Sequence, residues 1–300
     1  MVDISRILCP VDFSDVSRRA LDYAVGMARW YGATLTVLHV APVPIPSTAF
    51  AAGTATMLEP AVLSLVEHEK LRADLLAFAN AKPAGDVRIE VEVVEGQVWR
   101  EIRERAAALD AGLVVAGTHG RSGFERLMLG SVTEKLLRVA PCPVLTVPPA
   151  ASFRVPGAFK TVLCATDFSP AAGVAVRWAS ALAEEGGAEL LLLHVAEEHT
   201  IPGDEAWSSA ARSEFRQEYD RWCTARLREA VPDTTRTWCT VRELTARGVA
   251  HAEIVRTAAA HRCDLIALGV SGHHSIGDRV FGSTSQHVVR AATCPVLTTR

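Results

Sequence analysis

The sequence is poor in aromatic residues, in excess positive charge and in long apolar runs, and each shortage excludes a class of protein. Its 300 residues contain 6% Phe, Trp and Tyr, and 31 Lys and Arg against 34 Asp and Glu, a net charge of -3. A phosphate backbone needs a basic surface and unpaired bases stack on aromatic rings, so nucleic acid is not expected as a partner. The apolar runs 35–41 and 190–196 are interrupted by His39 and His194 and are far shorter than the roughly 20 residues that span a bilayer, so membrane spanning is excluded.

The cysteines do not form a pattern typical of a disulfide framework or a zinc ribbon. All 7 of them lie outside any Cys-x-x-Cys pair, and their number is odd. The first ten residues carry charges where a secretion signal would need an apolar core. We therefore expect a cytoplasmic protein with reduced, mostly buried thiols. With 49% apolar residues, the chain can fold into two domains of ordinary size.

The chain consists of one unit repeated twice. Residues 7–14 (ILCPVDFS) align with residues 162–169 (VLCATDFS), and residues 142–146 (CPVLT) recur at 294–298. Each unit takes up about half of the chain, far more than the ~20 to 50 residues of a solenoid repeat, which indicates domain duplication. We predict a first domain at 1–149, a linker at 150–159 that is rich in turn-forming residues, and a second domain at 160–300.

Within each unit, short β-rich apolar runs alternate with amphipathic segments. In the first unit, apolar residues recur every three or four positions after Ser14, which predicts a helix with Ser14 as its N-cap. Strands are predicted at 4–11, 34–40, 87–94, 113–116 and 144–147, and further helices at 58–80, at 98–109 and from Ser131. This alternation predicts an α/β fold with a parallel sheet that helices cover on both faces.

Two segments of each unit fall beyond the carboxyl ends of strands, where doubly wound sheets bind ligands. The first strand ends at Asp12, and the fourth is followed by a glycine-rich loop that ends in Gly130-Ser131. That pair opens a helix whose N–H groups and dipole favour phosphate. Neither G-x-G-x-x-G nor the P-loop pattern is present, so a Rossmann dehydrogenase or P-loop site is excluded, and another kind of nucleotide site is predicted.

Four ordered motifs, each present in both units, resemble those of the universal stress protein family. They are Asp-Phe-Ser, Leu-His-Val, the loop pattern G-x(2)-G-x(9)-G-[ST], and Cys-Pro-Val-Leu-Thr. The resemblance implies two tandem doubly wound domains, each with a five-stranded parallel sheet in the order 3-2-1-4-5. It also implies bound ATP with a divalent ion such as Mg²⁺, and an internal pseudo-dimer in which strands 144–147 and 296–299 pair antiparallel.

The resemblance further assigns binding residues in both units. In the first unit Asp12 and Val40 would face adenine and ribose, and the phosphates would be held by Gly117, Gly120, Arg121, Gly130 and Ser131. In the second unit the matching residues are Asp167, Val195, Gly269, Gly272, Gly282 and Ser283. There His273 replaces Arg121 and Asp278 replaces Arg126, so we expect weaker phosphate binding in the second unit.

Several interpretations remain open from the residues alone. Asp12 either contacts ligand or only caps the following helix, and the proline-rich segment 42–60 either closes over ligand or does nothing. We expect His39 and His194 to be core histidines. No general base stands out, so no catalytic residue is assigned and ATP hydrolysis is expected to be slow at most.

The sequence is compatible with three functions. The leading one is an ATP-binding stress-response protein whose nucleotide state is read by partners. The others are an enzyme that uses ATP for adenylyl or phosphoryl transfer, and a nucleotide-free scaffold that acts through dimerisation. Metal ligands and further homo-oligomerisation are left unassigned.

Overall fold

The computed structural model of the chain describes residues 2, 4–42, 63–120, 129–151, 159–197, 209–270 and 281–300. The elements of the first half are β1 (Arg6–Pro10), α1 (Asp15–Tyr31), β2 (Thr34–Pro42), α2 (Leu65–Ala79), β3 (Ile89–Gly96), α3 (Val98–Ala108), β4 (Leu113–Gly117), α4 (Ser131–Val139) and β5 (Val144–Val147). Those of the second half are β6 (Thr161–Ala165), α5 (Pro170–Gly186), β7 (Glu189–Ala196), α6 (Ser209–Ala230), α7 (Asp233–Trp238), β8 (Val241–Arg247), α8 (Ala250–Ala260), β9 (Leu265–Gly269), α9 (Ser283–Ala291) and β10 (Val296–Thr299).

The described strands form one sheet of ten in the order β3-β2-β1-β4-β5-β10-β9-β6-β7-β8. Each half is parallel and has the predicted order 3-2-1-4-5, which confirms the doubly wound fold. The halves are joined where β5 and β10 pair antiparallel, with Leu145 opposite Leu297. Thr146 Oγ1 and Thr298 Oγ1 add hydrogen bonds of 3.1 and 3.2 Å to backbone carbonyls across this junction. The two halves thus form an internal pseudo-dimer with a continuous sheet.

Both faces of the sheet are buried, because alternate strand residues point to opposite sides. Ile7 and Cys9 of β1 pack in the cluster that includes α1, α2 and α5, whereas Leu8 packs in the cluster that includes α3, α4, α8 and α9. In each half, loops from both faces meet at the carboxyl ends of the parallel strands. Because β5 and β10 pair antiparallel, the carboxyl ends of the two halves lie at opposite edges of the continuous sheet.

The structure corrects two predicted boundaries. The helix predicted at 58–80 begins at Leu65, because Ser64 and Glu67 form a reciprocal capping box, and residues 58–62 lie outside the described part. The strand predicted at 87–94 lies at Ile89–Gly96. The N-cap prediction is confirmed, since Ser14 accepts a hydrogen bond from the Ser17 N–H at the start of α1. The predicted domain limits at 149 and 160 stay predictions.

All seven cysteines are free, and five of them are buried. Burial raises the pKa of Cys142, Cys164, Cys263 and Cys294 to about 12, so these thiols are protonated and unreactive near neutral pH. The prediction that most thiols are buried is confirmed, and their reduced state stays a prediction. Among the described residues, no helix has the length and apolar character needed to span a bilayer.

Candidate functional site

A cavity of about 410 Å³ lies at the carboxyl ends of β1, β2 and β4. Since β1 and β4 are neighbours in the sheet, the cavity lies where the strand order reverses, the position at which doubly wound folds bind ligands. Its volume falls within the range of roughly 300–1,000 Å³ that is usual for small-molecule sites. The predicted residues that line it are Asp12, Val40, Gly117, Gly120, Gly130 and Ser131. Arg121 lies outside the described residues.

Asp12 holds the turn between β1 and α1 but does not cap the helix. Its Oδ1 accepts hydrogen bonds from the Ser14 N–H (3.1 Å) and the Ser14 hydroxyl (2.6 Å), while Ser14 itself is the N-cap. The residue between them, Phe13, has a φ of 66°, which is uncommon without glycine. Its ring packs 4.6 Å from the His39 ring, so tertiary contacts hold this backbone conformation in place.

The glycines at 117 and 120 allow close approaches that a side chain would prevent. A Cβ at residue 120 would lie 2.9 Å from Asp12 Oδ2, so the glycine lets the loop pass directly over the carboxylate. A Cβ at residue 117 would lie 2.8 Å from Val16 Cγ1. Gly117 therefore has a packing role against α1 in addition to any contact with ligand.

The N-terminus of α4 forms the second side of the cavity. Gly130 is the N-cap, and its own N–H donates to the Thr118 carbonyl at 2.9 Å. The N–H groups of Ser131, Val132 and Thr133 belong to the first turn, where an α-helix leaves donors without an intrahelical partner. Together with the helix dipole, donors of this kind favour an anion at the start of a helix. The Thr133 hydroxyl donates to the Gly117 carbonyl at 2.7 Å and so fixes the helix to the end of β4.

His119 is a site residue that the sequence analysis missed. It lines the cavity, and its Nδ1 lies 2.9 Å from Thr118 Oγ1. Its Nε2 is buried and has no hydrogen-bond partner within the described part of the chain. Buried polar atoms are usually paired, so this nitrogen is available to a ligand. In the sequence, the signal for this residue is a histidine between Thr118 and Gly120. The glycine spacing of the loop does not by itself point to it.

The remaining lining of the cavity is largely apolar. Val40, Val98, Ile102 and Leu136 contribute from β2, α3 and α4. Of the described lining residues, Asp12 is the one that carries a carboxylate. The cavity therefore joins an apolar surface suited to a flat base with a donor-rich end suited to an anion.

His39 and His194 are core histidines, as expected. Both are buried, and their Nδ1 atoms donate to the carbonyls of Val11 (2.8 Å) and Thr166 (2.9 Å). The Tyr219 hydroxyl lies 3.1 Å from Nε2 of His194. Each imidazole thus ties the second strand of its half to the end of the first.

The second half repeats the same frame with different contacts. Asp167 Oδ1 accepts from the Ser169 N–H at 2.9 Å, Val195 lies near the end of β7, and Gly282-Ser283 opens α9. Gly269 is tightly packed, since a Cβ there would lie 2.4 Å from backbone atoms of Ala171 and Ala172. The bond that matches Thr133 to Gly117 is looser, with Ser285 Oγ 3.5 Å from the Gly269 carbonyl.

Several residues predicted for the second half lie outside the described part of the chain. Gly272, His273 and Asp278 fall outside the described residues, as do Arg126 and all of the segment 42–60 except Pro42. The predictions on phosphate affinity and on closure over ligand therefore stay predictions.

Comparison with known proteins gives the same family for both halves. The sequence profile of the universal stress protein family matches residues 3–148 and again residues 158–300. Universal stress protein YxiE of Bacillus subtilis is 32% identical over 146 residues, which cover 48% of this chain and 98% of that protein. A universal stress protein of Methanocaldococcus jannaschii is 35% identical over 142 residues, covering 47% of this chain and 81% of its own length.

Two further proteins match along nearly the whole chain. A universal stress protein of Mycolicibacterium smegmatis is 27% identical over 314 aligned positions, which cover 98% of this chain and 96% of the relative. The crystal structure of a universal stress protein from Archaeoglobus fulgidus has a TM-score of 0.66 at 23% identity and covers 98% of this chain and 96% of its own. The latter likeness supports the tandem fold.

Proposed function

Because the chain belongs to the universal stress protein family, we propose that it is an ATP-binding stress-response protein whose first-half cavity holds the nucleotide. The observation that carries this proposal is the meeting of Asp12, the glycine loop and the N-terminus of α4 around one cavity at the strand-order reversal. We propose the matching residues of the second half as a weaker site.

The phosphate end of the proposed complex lies at α4. The N–H groups of its first turn and the close loop at Gly120 and Gly130 offer main-chain donors without side chains in the way. His119 Nε2 adds a buried donor or acceptor on the same side. Adenine would lie against Val40 and the apolar residues of α3, with ribose near Asp12.

A divalent ion would be held mainly by the phosphates. Among the described residues, no group of three or more His, Cys, Asp and Glu side chains is placed to hold a metal. Mg²⁺ commonly keeps several waters and takes only one or two protein ligands beside the phosphates of a nucleotide. The residues present are thus compatible with Mg²⁺ that arrives with ATP and supplies charge neutralisation of its phosphates.

We propose that nucleotide occupancy, rather than rapid turnover, is the biochemical activity. Asp12 is already engaged by Ser14, and the described lining offers no second carboxylate to position water at a γ-phosphate. ATP bound to the protein is expected to persist, with turnover well below the ~1 to 1000 per second of ordinary enzymes.

The test is equilibrium dialysis of the full chain against MgATP, followed by acid release and identification of the retained nucleotide. Gly130→Val and Gly282→Val, made separately, address the two halves, and unfolding curves verify that each variant is folded. We expect intact ATP on the wild-type chain, a large loss in Gly130→Val and a small one in Gly282→Val. Absence of retained nucleotide, or equal retention by Gly130→Val, would contradict the proposal.

The scaffold function is the second candidate, and the junction between β5 and β10 favours it. This pairing uses the inner strand edges of both halves within one chain and leaves β3 and β8 as the outer strands of the described sheet. A protein that acts only through this pseudo-dimer would release no nucleotide in the dialysis experiment. A transfer enzyme would instead release ADP or pyrophosphate with an acceptor present.

A further inference from the structure

A groove of about 870 Å³, lined mainly by the second half, shares no lining residue with the strand-end cavity of the first half. It runs between α5, the end of α6 and α7, and its lining includes Phe168, Gly173, Arg177, Ser180, Arg226 and Thr235. None of these residues takes part in the proposed nucleotide site. The duplication supplies a direct comparison for this groove, because α5 matches α1 without a gap from N-cap Ser169 and Ser14 to C-cap Gly187 and Gly32.

In the first half the matching space is filled by Arg18, which aligns with Gly173. The Arg18 guanidinium lies 3.4 Å from the centre of the Phe78 ring and donates to the Phe78 carbonyl. In the second half Gly173 has no side chain here, and a Cβ on it would meet only Arg177 Nη1, 4.0 Å away. The same Nη1 donates to the Gly173 carbonyl at 3.3 Å, so the other N–H groups of Arg177 are the ones that face the groove. The change from arginine to glycine therefore removes the side chain that fills the matching space of the first half.

The charges around the space are also reversed between the halves. Asp22 of α1, which pairs with Lys82 at 2.5 Å, aligns with Arg177 of α5. Arg226 of α6 occupies the position that matches Phe78 of α2. Phe78 comes directly before the buried Ala79, and Arg226 comes directly before the buried Leu227. Phe78 and Arg226 also contact matched rings, those of Phe13 and Phe168. The second half thus presents two guanidinium groups where the first presents a carboxylate and a ring.

A buried polar atom lies in the same groove. Ser180 is 5% exposed, and its Oγ has no hydrogen-bond partner within the described part of the chain. The matching residue of α1 is Val25, which has no such group. The carboxylates of the groove are Glu184, near the C-terminal end of α5, and Glu229, 3.9 Å from Arg226. Gly173 and Arg177 lie in the first two turns of α5, so the cationic end of the groove is next to the open space.

We propose that this groove binds a small aromatic carboxylate. The aromatic ring of the ligand takes the space that Arg18 occupies in the first half, and it stacks on the Arg226 guanidinium. Ring and guanidinium thus exchange the places that they have in the Arg18–Phe78 pair. The carboxylate accepts hydrogen bonds from Arg177 or Arg226, which have the planar donor geometry that suits it. Ser180 provides a further hydrogen-bonding group beneath the ligand.

The test uses naphthoate as the probe and naphthyl methanol as its uncharged counterpart, titrated by calorimetry into the full chain saturated with MgATP. Saturation with MgATP keeps the probe out of the strand-end cavity. We expect naphthoate to bind saturably and at least about tenfold more tightly than the alcohol, as loss of a charge-assisted hydrogen bond implies.

Two substitutions locate the site. Gly173→Arg restores the residue of the first half and is expected to abolish binding, whereas Arg226→Gln is expected to weaken it about tenfold. Arg18→Gly is the matched control, because it opens the first-half space beside Asp22 and is expected to create no second naphthoate site. Unfolding curves verify that each variant is folded. Equal binding of naphthoate and the alcohol, no saturable binding, or unchanged affinity in Gly173→Arg would overturn the proposal.

Discussion

The two halves of the molecule share a backbone plan and differ on the surfaces where ligands would bind. Their sheets have the same strand order, and their first helices share caps, left-handed C-terminal glycines and a phenylalanine at positive φ. At the strand ends, by contrast, Thr133 bonds Gly117 at 2.7 Å and Ser285 lies 3.5 Å from Gly269. On the outer face, Arg18 fills a space that Gly173 leaves open. The two halves have kept the same frame, whereas the surfaces proposed to bind ligands differ between them.

The largest expected effect concerns the glycine that ends the fourth strand of each half. Gly269→Ala would bring a Cβ 2.4 Å from the backbone of Ala171 and Ala172, whereas at Gly117 the nearest atom is a movable Val16 methyl at 2.8 Å. We expect Gly269→Ala to destabilise the protein by about 3 kcal/mol and Gly117→Ala by about 1 kcal/mol, since overpacking costs most where backbone must move. Urea unfolding measures both, and equal effects would show that the two strand ends pack alike.

The second prediction exploits a difference in the glycine loops. The first half has Thr118-His119 where the second has Val270-Ser271. His119→Ser is expected to weaken MgATP binding about tenfold, because it removes one hydrogen-bonding group from the cavity, whereas His119→Gln keeps a donor and retains most affinity. Dialysis against MgATP measures the change. Equal affinities of wild type and His119→Ser would remove His119 from the site.

The third prediction concerns the thiols, which are more numerous in the second half. Burial raises the pKa of Cys263 to about 12, well above the value of about 8.5 for an exposed thiol. Because the pKa of Cys263 is higher in the folded chain than in the unfolded chain, the stability that the buried protonated thiol contributes is fully present below about pH 8.5. It is lost progressively as the pH rises from there towards the folded-state pKa. Alanine is the residue at the matching position 111 of the first half. Between pH 9 and pH 10, the unfolding free energy of Cys263→Ala should fall by about 1 kcal/mol less than that of the wild type. An unchanged pH slope would show that Cys263 ionises normally in the folded protein.

The smallest expected effect is a gain in stability. Gly173 lies within α5 with open space around its Cα, so Gly173→Ala adds a good helix former without a clash. We expect stabilisation of about 0.5–1 kcal/mol, measured by urea unfolding. Destabilisation would mean that the groove is narrower than the structure indicates.

Much of the frame was predictable from the sequence, because it depends on local patterns that occur twice. The alternation of strands and helices follows from periodicity, and Ser14 is the N-cap of α1 that local capping rules predicted. The start of α2 also has a local signal, since Ser64 and Glu67 have capping-box spacing, and the prediction of a helix from residue 58 did not include that signal.

The finer features of the sites depend on tertiary contacts that spacing does not show. The proposed role of His119 rests on its buried Nε2 and on its place in the cavity lining. The groove beside Gly173 depends on how α5 lies against α6, and Arg18 reveals it only once Phe78 is seen beneath its guanidinium. The packing role of Gly269 likewise needs the position of Ala171 in a helix almost one hundred residues earlier.

The central claim is that the first-half cavity holds the nucleotide with its phosphates at the start of α4. A crystal structure of the full chain grown with excess MgATP tests it most directly. The account predicts triphosphate density at the N–H groups of Ser131 to Thr133 and adenine beside Val40. An empty first-half cavity in crystals with ATP present, or nucleotide bound elsewhere on the chain, would contradict it.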